Sequence, residues 1–167
     1  MSELDTVAPA FVSMAHRIVW CSAATVGLDG RPRSRVLHPI WEWDGDALKG
    51  WIATSPQSPK ATELQTVPAL SLNYWAPNHD TCTADCAAEF ESDPAAVAAG
   101  WRRFAEGPAP VGYDPAIIPG WEDPESPGFG VLRLAPHRLR VMPGTVITEG
   151  HGELLTWSDR PSSPGAG

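Results

Sequence analysis

Four cationic residues stand out in an otherwise acidic chain, and their types and spacing are suited to anion binding. The 167 residues include 12 Lys and Arg against 20 Asp and Glu, a formal net charge of −8. Arg31, Arg33 and Arg35 alternate along a stretch with strand character, so their side chains are expected to share one face. Lys60 lies further along the chain. We therefore predict that these cations surround a single site.

The segment Ser58-Pro59-Lys60 has the pattern of a helix N-terminus that faces an anion. Serine is a favourable N-cap, and proline fits the first helical position because its missing N–H is not needed there. Lys60 then lies in the first turn, where the helix macrodipole disfavours a cation unless an anion is also bound. We therefore predict a phosphate cradle built from the arginine strand and this helix. The alternative is a solvated hairpin beside a helix cap that binds nothing.

Length and composition limit the classes of protein to consider. We expect one domain over residues 1–157 and a disordered Ser, Pro and Gly-rich tail over 158–167. No run of about 18 apolar residues predicts a membrane span. The acidic N-terminus does not resemble a signal peptide, and three cysteines suit a reducing compartment, so we expect a cytoplasmic protein. The pI near 5.0 argues against nucleic acid or an anionic membrane as partner.

Hydrophobic periodicity and turn residues predict short strands with few helices. Predicted strands cover residues 18–26, 33–43, 47–54, 69–75, 81–90, 129–135 and 138–142, with possible extensions at 145–148 and 152–157. Predicted helices cover residues 7–17, 58–65 and 94–104. Residues 107–127 include six prolines and are expected to form a surface loop without regular structure. The pattern indicates an antiparallel barrel with flanking helices, mainly β or α+β in class.

The order of these motifs resembles the pyridoxamine 5′-phosphate oxidase-like split-barrel family. The stretch 30–37, Gly-Arg-Pro-Arg-Ser-Arg-Val-Leu, resembles that family's strand after the first hairpin. Ala53-Thr54 followed by Ser58-Pro59-Lys60 is similar to its Tyr-Thr and Ser-Arg-Lys, at the same spacing. The likeness continues through Leu64, Pro68, the strand 72–75 and the segment 136–144.

The resemblance implies a six-stranded antiparallel split β-barrel with flanking helices that works as a homodimer. It also implies FMN, or in some branches a deazaflavin, in a cleft between the subunits. Arg35 and Lys60 would hold the cofactor phosphate, with Arg33 as a second candidate and Ser58-Pro59 supplying further contacts. The residues expected beside the ring and the ribityl chain are Val36, Leu37, Ala53 and Thr54.

Departures from the family pattern argue against vitamin B6 oxidation. Thr81 stands six places after Trp75, where the vitamin B6 oxidases have a glutamine, and Pro59 replaces a cation. The family's late segment that grips pyridoxal phosphate has no counterpart. The implied function is that of an FMN-binding oxidoreductase of the general flavin reductase type, acting on an unknown small molecule with a nicotinamide as candidate donor. A deazaflavin-dependent reductase, a non-catalytic flavin- or haem-binding protein and a cofactor-free dimer are the alternatives.

No catalytic residue and no metal site are assigned. Motifs of serine hydrolases, dinucleotide-binding folds and P-loop enzymes are absent. His38 follows the arginine strand and either contacts the ring or closes the strand structurally. Cys82 and Cys86 share one face of a predicted strand and are expected to be small buried side chains rather than metal ligands.

Overall fold

The computed structural model describes residues 3–159 of the chain. The helices are α1 (Glu3–Ile18), α2 (Pro59–Thr66), α3 (Pro94–Ala105) and α4 (Thr145–Thr148), with a 3₁₀ turn at Pro115–Ile117. The strands are β1 (Cys21–Val26), β2 (Pro32–Leu37), β3 (Pro39–Trp43), β4 (Leu48–Ala53), β5 (Ala69–Trp75), β6 (Thr81–Phe90), β7 (Val131–Met142) and β8 (Leu155–Ser158). Within this range, none of the helices combines the length and hydrophobicity needed to cross a bilayer.

The strands form one antiparallel sheet that curls into an open barrel. Its order is β2-β1-β5-β6-β7-β4-β3, and β8 pairs with β7. Strands β2 and β3 lie at opposite ends of this order but are separated in the chain by His38 alone. Because consecutive Cα atoms are about 3.8 Å apart, the two ends of the sheet must meet at this residue. The predicted fold class, a mainly antiparallel barrel with flanking helices, is confirmed, with eight strands in place of six.

Three predicted strand regions differ from the structure. The strand predicted over 33–43 is interrupted at His38, after which Pro39, which has no N–H, begins β3. The two strands predicted over 129–135 and 138–142 form a single strand, β7, which begins at Val131, because a register shift at Asp85/Cys86 accommodates Pro136. The possible extension at 145–148 is the helical turn α4, whereas the one at 152–157 corresponds to β8, which begins at Leu155. The predicted tail starts at Ser158, the last residue of β8, and residues 160–167 lie outside the described residues.

The hydrophobic core has two parts. Inside the barrel, the Phe11 ring of α1 packs edge-on against Trp41 at 5.0 Å and against Tyr74 at 6.1 Å between centroids. The Trp41 indole N–H donates to the Tyr74 hydroxyl at 2.9 Å, which satisfies two buried polar groups. A second cluster lies between α3, the sheet and the segment after α3, and consists of Ile40, Trp51, Phe104, Val111, Trp121, Phe129 and Val131. The predicted loop 107–127 is therefore partly buried and includes the 3₁₀ turn.

The three cysteines are free and buried, as expected for Cys82 and Cys86. Cys21 lies on β1, next to the edge strand, and the other two lie on the interior strand β6. Burial raises the pKa of the Cys21 thiol to about 12 and raises the pKa values of the other two thiols well above the ordinary range. All three side chains therefore remain protonated at neutral pH.

Candidate functional site

Arg35 is the centre of a charged cluster on the β1–β2 hairpin. It lies opposite Ala23 in the strand pairing, so its long side chain crosses β1 toward α2. Its Nη1 donates to the Thr25 hydroxyl and to the Arg33 carbonyl, both at 2.7 Å, and its Nη2 donates to Glu63 Oε2 at 3.0 Å. The guanidinium is therefore held by groups of its own hairpin and by one carboxylate from α2.

Glu63 completes this charged cluster from the helix side. The Thr25 hydroxyl donates to Glu63 Oε2 at 2.5 Å, the same oxygen that accepts from Arg35. The hydrogen bond from Thr25, followed by that from Arg35, lowers the pKa of Glu63. Glu63 is 8% exposed, so an ionised carboxylate lies nearly buried within the cluster. We call Thr25, Arg35, Ser58, Lys60 and Glu63 the basic cluster.

Lys60 joins the basic cluster from the first turn of α2. Ser58 occupies the N-cap position and Pro59 is the first helical residue, as predicted. The Ser58 hydroxyl does not cap the helix: it donates to the Ser55 carbonyl at 2.7 Å and accepts from Lys60 Nζ at 2.8 Å. Lys60 is only 8% exposed. Burial and the Arg35 charge lower the pKa of Lys60, whereas Glu63 raises it.

The predicted row of three arginines is not continuous. Arg31 precedes β2, and Arg33 Nη2 forms an ion pair with Asp29 at 2.9 Å on the exposed turn of the hairpin. The backbone N–H of Arg31, followed by the Arg33 side chain, lowers the pKa of Asp29. The structure thus brings Arg35 and Lys60 together and directs Arg33 toward a carboxylate of its own turn.

Beyond the basic cluster, β2 leads into an open cavity of about 420 Å³. Three sequence-predicted residues line it: Val36, Leu37 and Ala53. The other lining residues include Trp20, His38, Tyr113, Ile118 and Trp121, and we call this cavity the aromatic pocket. Thr54, which follows Ala53, is buried and its backbone N–H donates to the Gly130 carbonyl at 2.9 Å.

His38 contributes an imidazole to the aromatic pocket. Its ring lies 4.9 Å from Trp20 and 5.2 Å from Tyr113 between centroids. Burial lowers the pKa of His38, although a hydrogen bond with the Val111 backbone opposes the shift, so the imidazole is neutral at pH 7. Its Nε2 is buried without a hydrogen-bond partner, and no other side-chain nitrogen or oxygen in residues 3–159 is in that condition.

Sequence reasoning missed several residues of this arrangement, among them Thr25, Glu63, Tyr113 and Trp121. Thr25 and Glu63 join the basic cluster because folding places β1 and α2 against Arg35. The one local signal was the spacing of Lys60 and Glu63, three apart on a helix. Tyr113 and Trp121 come from the proline-rich segment, where no periodicity marks which aromatic residues turn inward.

The basic cluster and the aromatic pocket are continuous along two segments of the chain. Arg35 is followed directly by Val36 and Leu37, and Ala53 leads through the next turn to Lys60. Such an arrangement suits a flat, largely apolar ligand that carries an anionic group at one end. The unpaired Nε2 would gain a hydrogen bond from a polar edge of that ligand.

The sequence profile described as pyridoxamine 5′-phosphate oxidase matches residues 8–142, most of the chain. The chain belongs to this family. No curated protein is significantly similar to it. Among solved structures, a relative of general stress protein 26 from Clostridium acetobutylicum, of the pyridoxinephosphate oxidase family, superposes with a TM-score of 0.67 at 14% identity, covering 95% of this chain and 97% of that one.

Two further family structures are similar to this chain. A pyridoxamine 5′-phosphate oxidase-related, FMN-binding protein from Nostoc punctiforme has a TM-score of 0.60 at 20% identity, with 95% of this chain and 94% of that chain covered. An F420 reductase has a TM-score of 0.53 at 18% identity, with 77% and 94% covered. At these identities, the similarity supports the split-barrel fold.

Proposed function

We propose that this protein is a flavin-binding oxidoreductase of its family and that it holds FMN between the basic cluster and the aromatic pocket. The observation that carries the proposal is the continuity of β2, which places Arg35 in the basic cluster and the next two residues in the pocket. An anionic tail and a flat ring joined by a short chain match these two neighbouring environments.

The residues divide by the part of the cofactor they would contact. Arg35, Lys60 and Ser58 would bind the phosphate, with the backbone after Pro59 offering first-turn N–H groups. Val36, Leu37 and Ala53 would contact the ring, and Thr54 lies on the path between the two ends. Arg33 is a weaker phosphate candidate because it is paired with Asp29.

A bound flavin supplies the hydride transfer, which in this proposal runs from a reduced nicotinamide to an unidentified small molecule. The chain itself would bind and orient the ring and exclude water from one side of it. His38 would donate or accept one hydrogen bond through Nε2, depending on its tautomer. This bond would satisfy the buried Nε2 atom, which has no partner in the protein.

A second subunit would complete the site in this proposal. Val36 is 63% exposed and Trp20 is 59% exposed, and both border the aromatic pocket. Large apolar side chains left in water beside a cavity are typical of surfaces that another chain covers. We therefore propose a homodimer with the cofactor at the subunit interface, working in the cytoplasm, where its three free thiols would stay reduced.

A deazaflavin is the second candidate cofactor, because an F420 reductase shares the fold and the same cations would bind its phosphate. An absorption spectrum recorded before and after incubation with FMN or F420, then desalting, tests both candidates. A retained flavin band favours FMN, and a band retained only with F420 favours the deazaflavin. Turnover with a reduced nicotinamide separates an enzyme from a flavin or haem carrier.

The double substitution Arg35→Ala with Lys60→Ala tests the phosphate assignment. Losing two charge-assisted contacts should weaken FMN binding about 100-fold, to the affinity for riboflavin, which has no phosphate. Lys49→Ala with Arg138→Ala removes the same charge from exposed ion pairs and is the matched control. Undiminished FMN binding by a folded Arg35/Lys60 variant would contradict the assignment.

A further inference from the structure

The basic cluster contains a carboxylate, which changes the charge it offers to an anion. Arg35 and Lys60 contribute two positive charges and Glu63 contributes one negative charge, which leaves a single net positive charge. Arg33, which also acts electrostatically on Glu63, is paired with Asp29. The cluster is therefore weakly cationic, although two of the few basic residues of the chain lie in it.

Glu63 is a fixed part of the cluster rather than a mobile counter-ion. Its Oε2 accepts from the Thr25 hydroxyl at 2.5 Å and from Arg35 at 3.0 Å, so two elements of the hairpin hold it. It is 8% exposed, which leaves little room for the side chain to swing into solvent when a ligand arrives. A bound anion would have to coexist with this carboxylate.

We infer that Glu63 makes the basic cluster selective for a singly charged phosphodiester over a doubly charged phosphomonoester. The inference rests on the proposed function, because it concerns which phosphorylated flavin-like cofactor this site takes. The two cofactor candidates differ in this group: FMN ends in a phosphomonoester, whereas the phosphate of a deazaflavin of the F420 type is a phosphodiester. Within the proposed site, the inference therefore ranks the deazaflavin above FMN.

Charge balance gives the direction of the preference. A monoanion neutralises the single net positive charge, whereas a dianion leaves an excess negative charge beside Glu63. Such an imbalance is costly because Lys60 and Glu63 are each only 8% exposed, and charges of low exposure are poorly screened by water. The Arg35 side chain, at 24% exposure, is also partly shielded.

Two flavins with the same ring provide the test. FMN carries a monoester whose second pKa is about 6, so it is mainly a dianion at about pH 8 and a monoanion at about pH 5. Riboflavin 4′,5′-cyclic phosphate is a diester and stays singly charged at both pH values. Dissociation constants are measured by flavin fluorescence for the wild-type protein, for Glu63→Gln and for Asp44→Asn. The last is a matched control, since it removes one carboxylate from an exposed ion pair at the other end of β4.

The charged groups that face Glu63 are Arg35 and the more distant Arg33 from β2, together with Lys60 from its own helix. Any effect of pH on the residues beside the ring acts on both ligands, because the two ligands share the same ring. The ratio of the two dissociation constants therefore reports on the phosphate alone.

In the wild-type protein we expect the cyclic diester to bind about tenfold more tightly than FMN at about pH 8, with the gap closing at about pH 5. Glu63→Gln keeps the hydrogen bonds to Thr25 and Arg35 and should remove the preference, while Asp44→Asn should not change it. Equal affinities for both ligands in the wild-type protein at about pH 8 would overturn the inference.

A purely structural role for Glu63 predicts a different result, namely an equal loss of affinity for both ligands in Glu63→Gln, and this would also overturn the inference. If the variant fails to fold, the pH series on the wild-type protein decides alone. Binding without preference rejects only the selectivity. Failure of FMN, the cyclic diester and F420 to bind at all would reject the proposed function and the inference with it.

Discussion

The basic cluster and the aromatic pocket are neighbours that differ in how well their polar groups are satisfied. In the basic cluster, Arg35 pairs with Glu63 and Lys60 bonds to Ser58, so the charged side chains already have partners. In the aromatic pocket, the buried Nε2 of His38 has none. A ligand would thus compete with existing contacts at one end and supply a missing one at the other. The difference suggests that ring binding, rather than charge, contributes most of the affinity.

The largest effect is expected from removing a side chain behind the aromatic pocket. Phe104 is fully buried and lies edge-on to both His38 and Tyr113, so Phe104→Ala should lower the free energy of unfolding by about 3–5 kcal/mol. Phe11→Ala, in the barrel core, should cost about as much. Urea unfolding measures both variants. Only Phe104→Ala should also weaken riboflavin binding. Equal effects of the two variants on binding would show that the side chains behind the aromatic pocket have no special role in holding the ring.

A smaller effect is expected from breaking the ion pair of the basic cluster. Glu63→Ala leaves Arg35 and Thr25 without their shared acceptor and should cost about 1–2 kcal/mol in unfolding free energy. This lies below the range for fully buried pairs because the Arg35 side chain is 24% exposed. Glu89→Ala, in the exposed pair with Arg133, should cost less than about 0.5 kcal/mol. Thermal melts of both variants measure the difference. Equal costs would show that the Arg35–Glu63 pair stabilises the fold no more than an exposed ion pair does.

As the pH falls, stability should be lost first through the protonation of His38 and His16. Burial lowers the pKa values of His38 and His16 in the folded protein, so between these values and about 6.5 the unfolded chain binds more protons. Stability is therefore full above about pH 6.5 and falls as the pH drops, by at most about 1.4 kcal/mol per pH unit for each histidine. The lowered pKa of Glu63 adds a loss only at more acidic pH. Urea titrations between about pH 5 and about pH 8 check this, and a flat profile would contradict it.

His38→Phe is expected to change stability little and to act mainly on ring binding. The substitution removes the unpaired Nε2 and also the hydrogen bond with the Val111 backbone, so the two effects should leave the unfolding free energy within about 1 kcal/mol of wild type. Riboflavin affinity should fall several-fold, while the pH dependence of stability becomes shallower. His137→Phe, at an exposed position, is the control for adding a ring. Unchanged riboflavin binding would show that His38 Nε2 forms no hydrogen bond with the ring.

The elements predicted most accurately from the sequence are those that short stretches of residues determine on their own. The strands 69–75 and 81–90 match β5 and β6 because alternating side chains face the core, and Asp93-Pro94 marks the start of α3. The β-branched run 145–148 was predicted as strand but forms α4, where the N–H groups of Ile147 and Thr148 bond to the Gly144 carbonyl. Sheet closure at His38 was not predictable, because it depends on the whole strand order.

The same distinction applies to the candidate site. Arg35 and Lys60 were recognisable because cations are scarce in this chain, and Val36, Leu37 and Ala53 came from the family resemblance. The contact of Glu63 with Arg35 depends on the packing of α2 against β1, across 28 positions of sequence. The assignment of all these residues to a cofactor site stays a prediction until binding is measured.

The buried thiols are built-in reporters of how the sheet opens. Because each is shielded and protonated, a reagent can label it only while the surrounding strands are open. Cys21 lies one strand from the edge and Cys86 lies two strands further in, so the order of labelling would report which part of the sheet separates first. Three residues with no assigned chemistry thus make the opening of the native protein observable without any engineered probe.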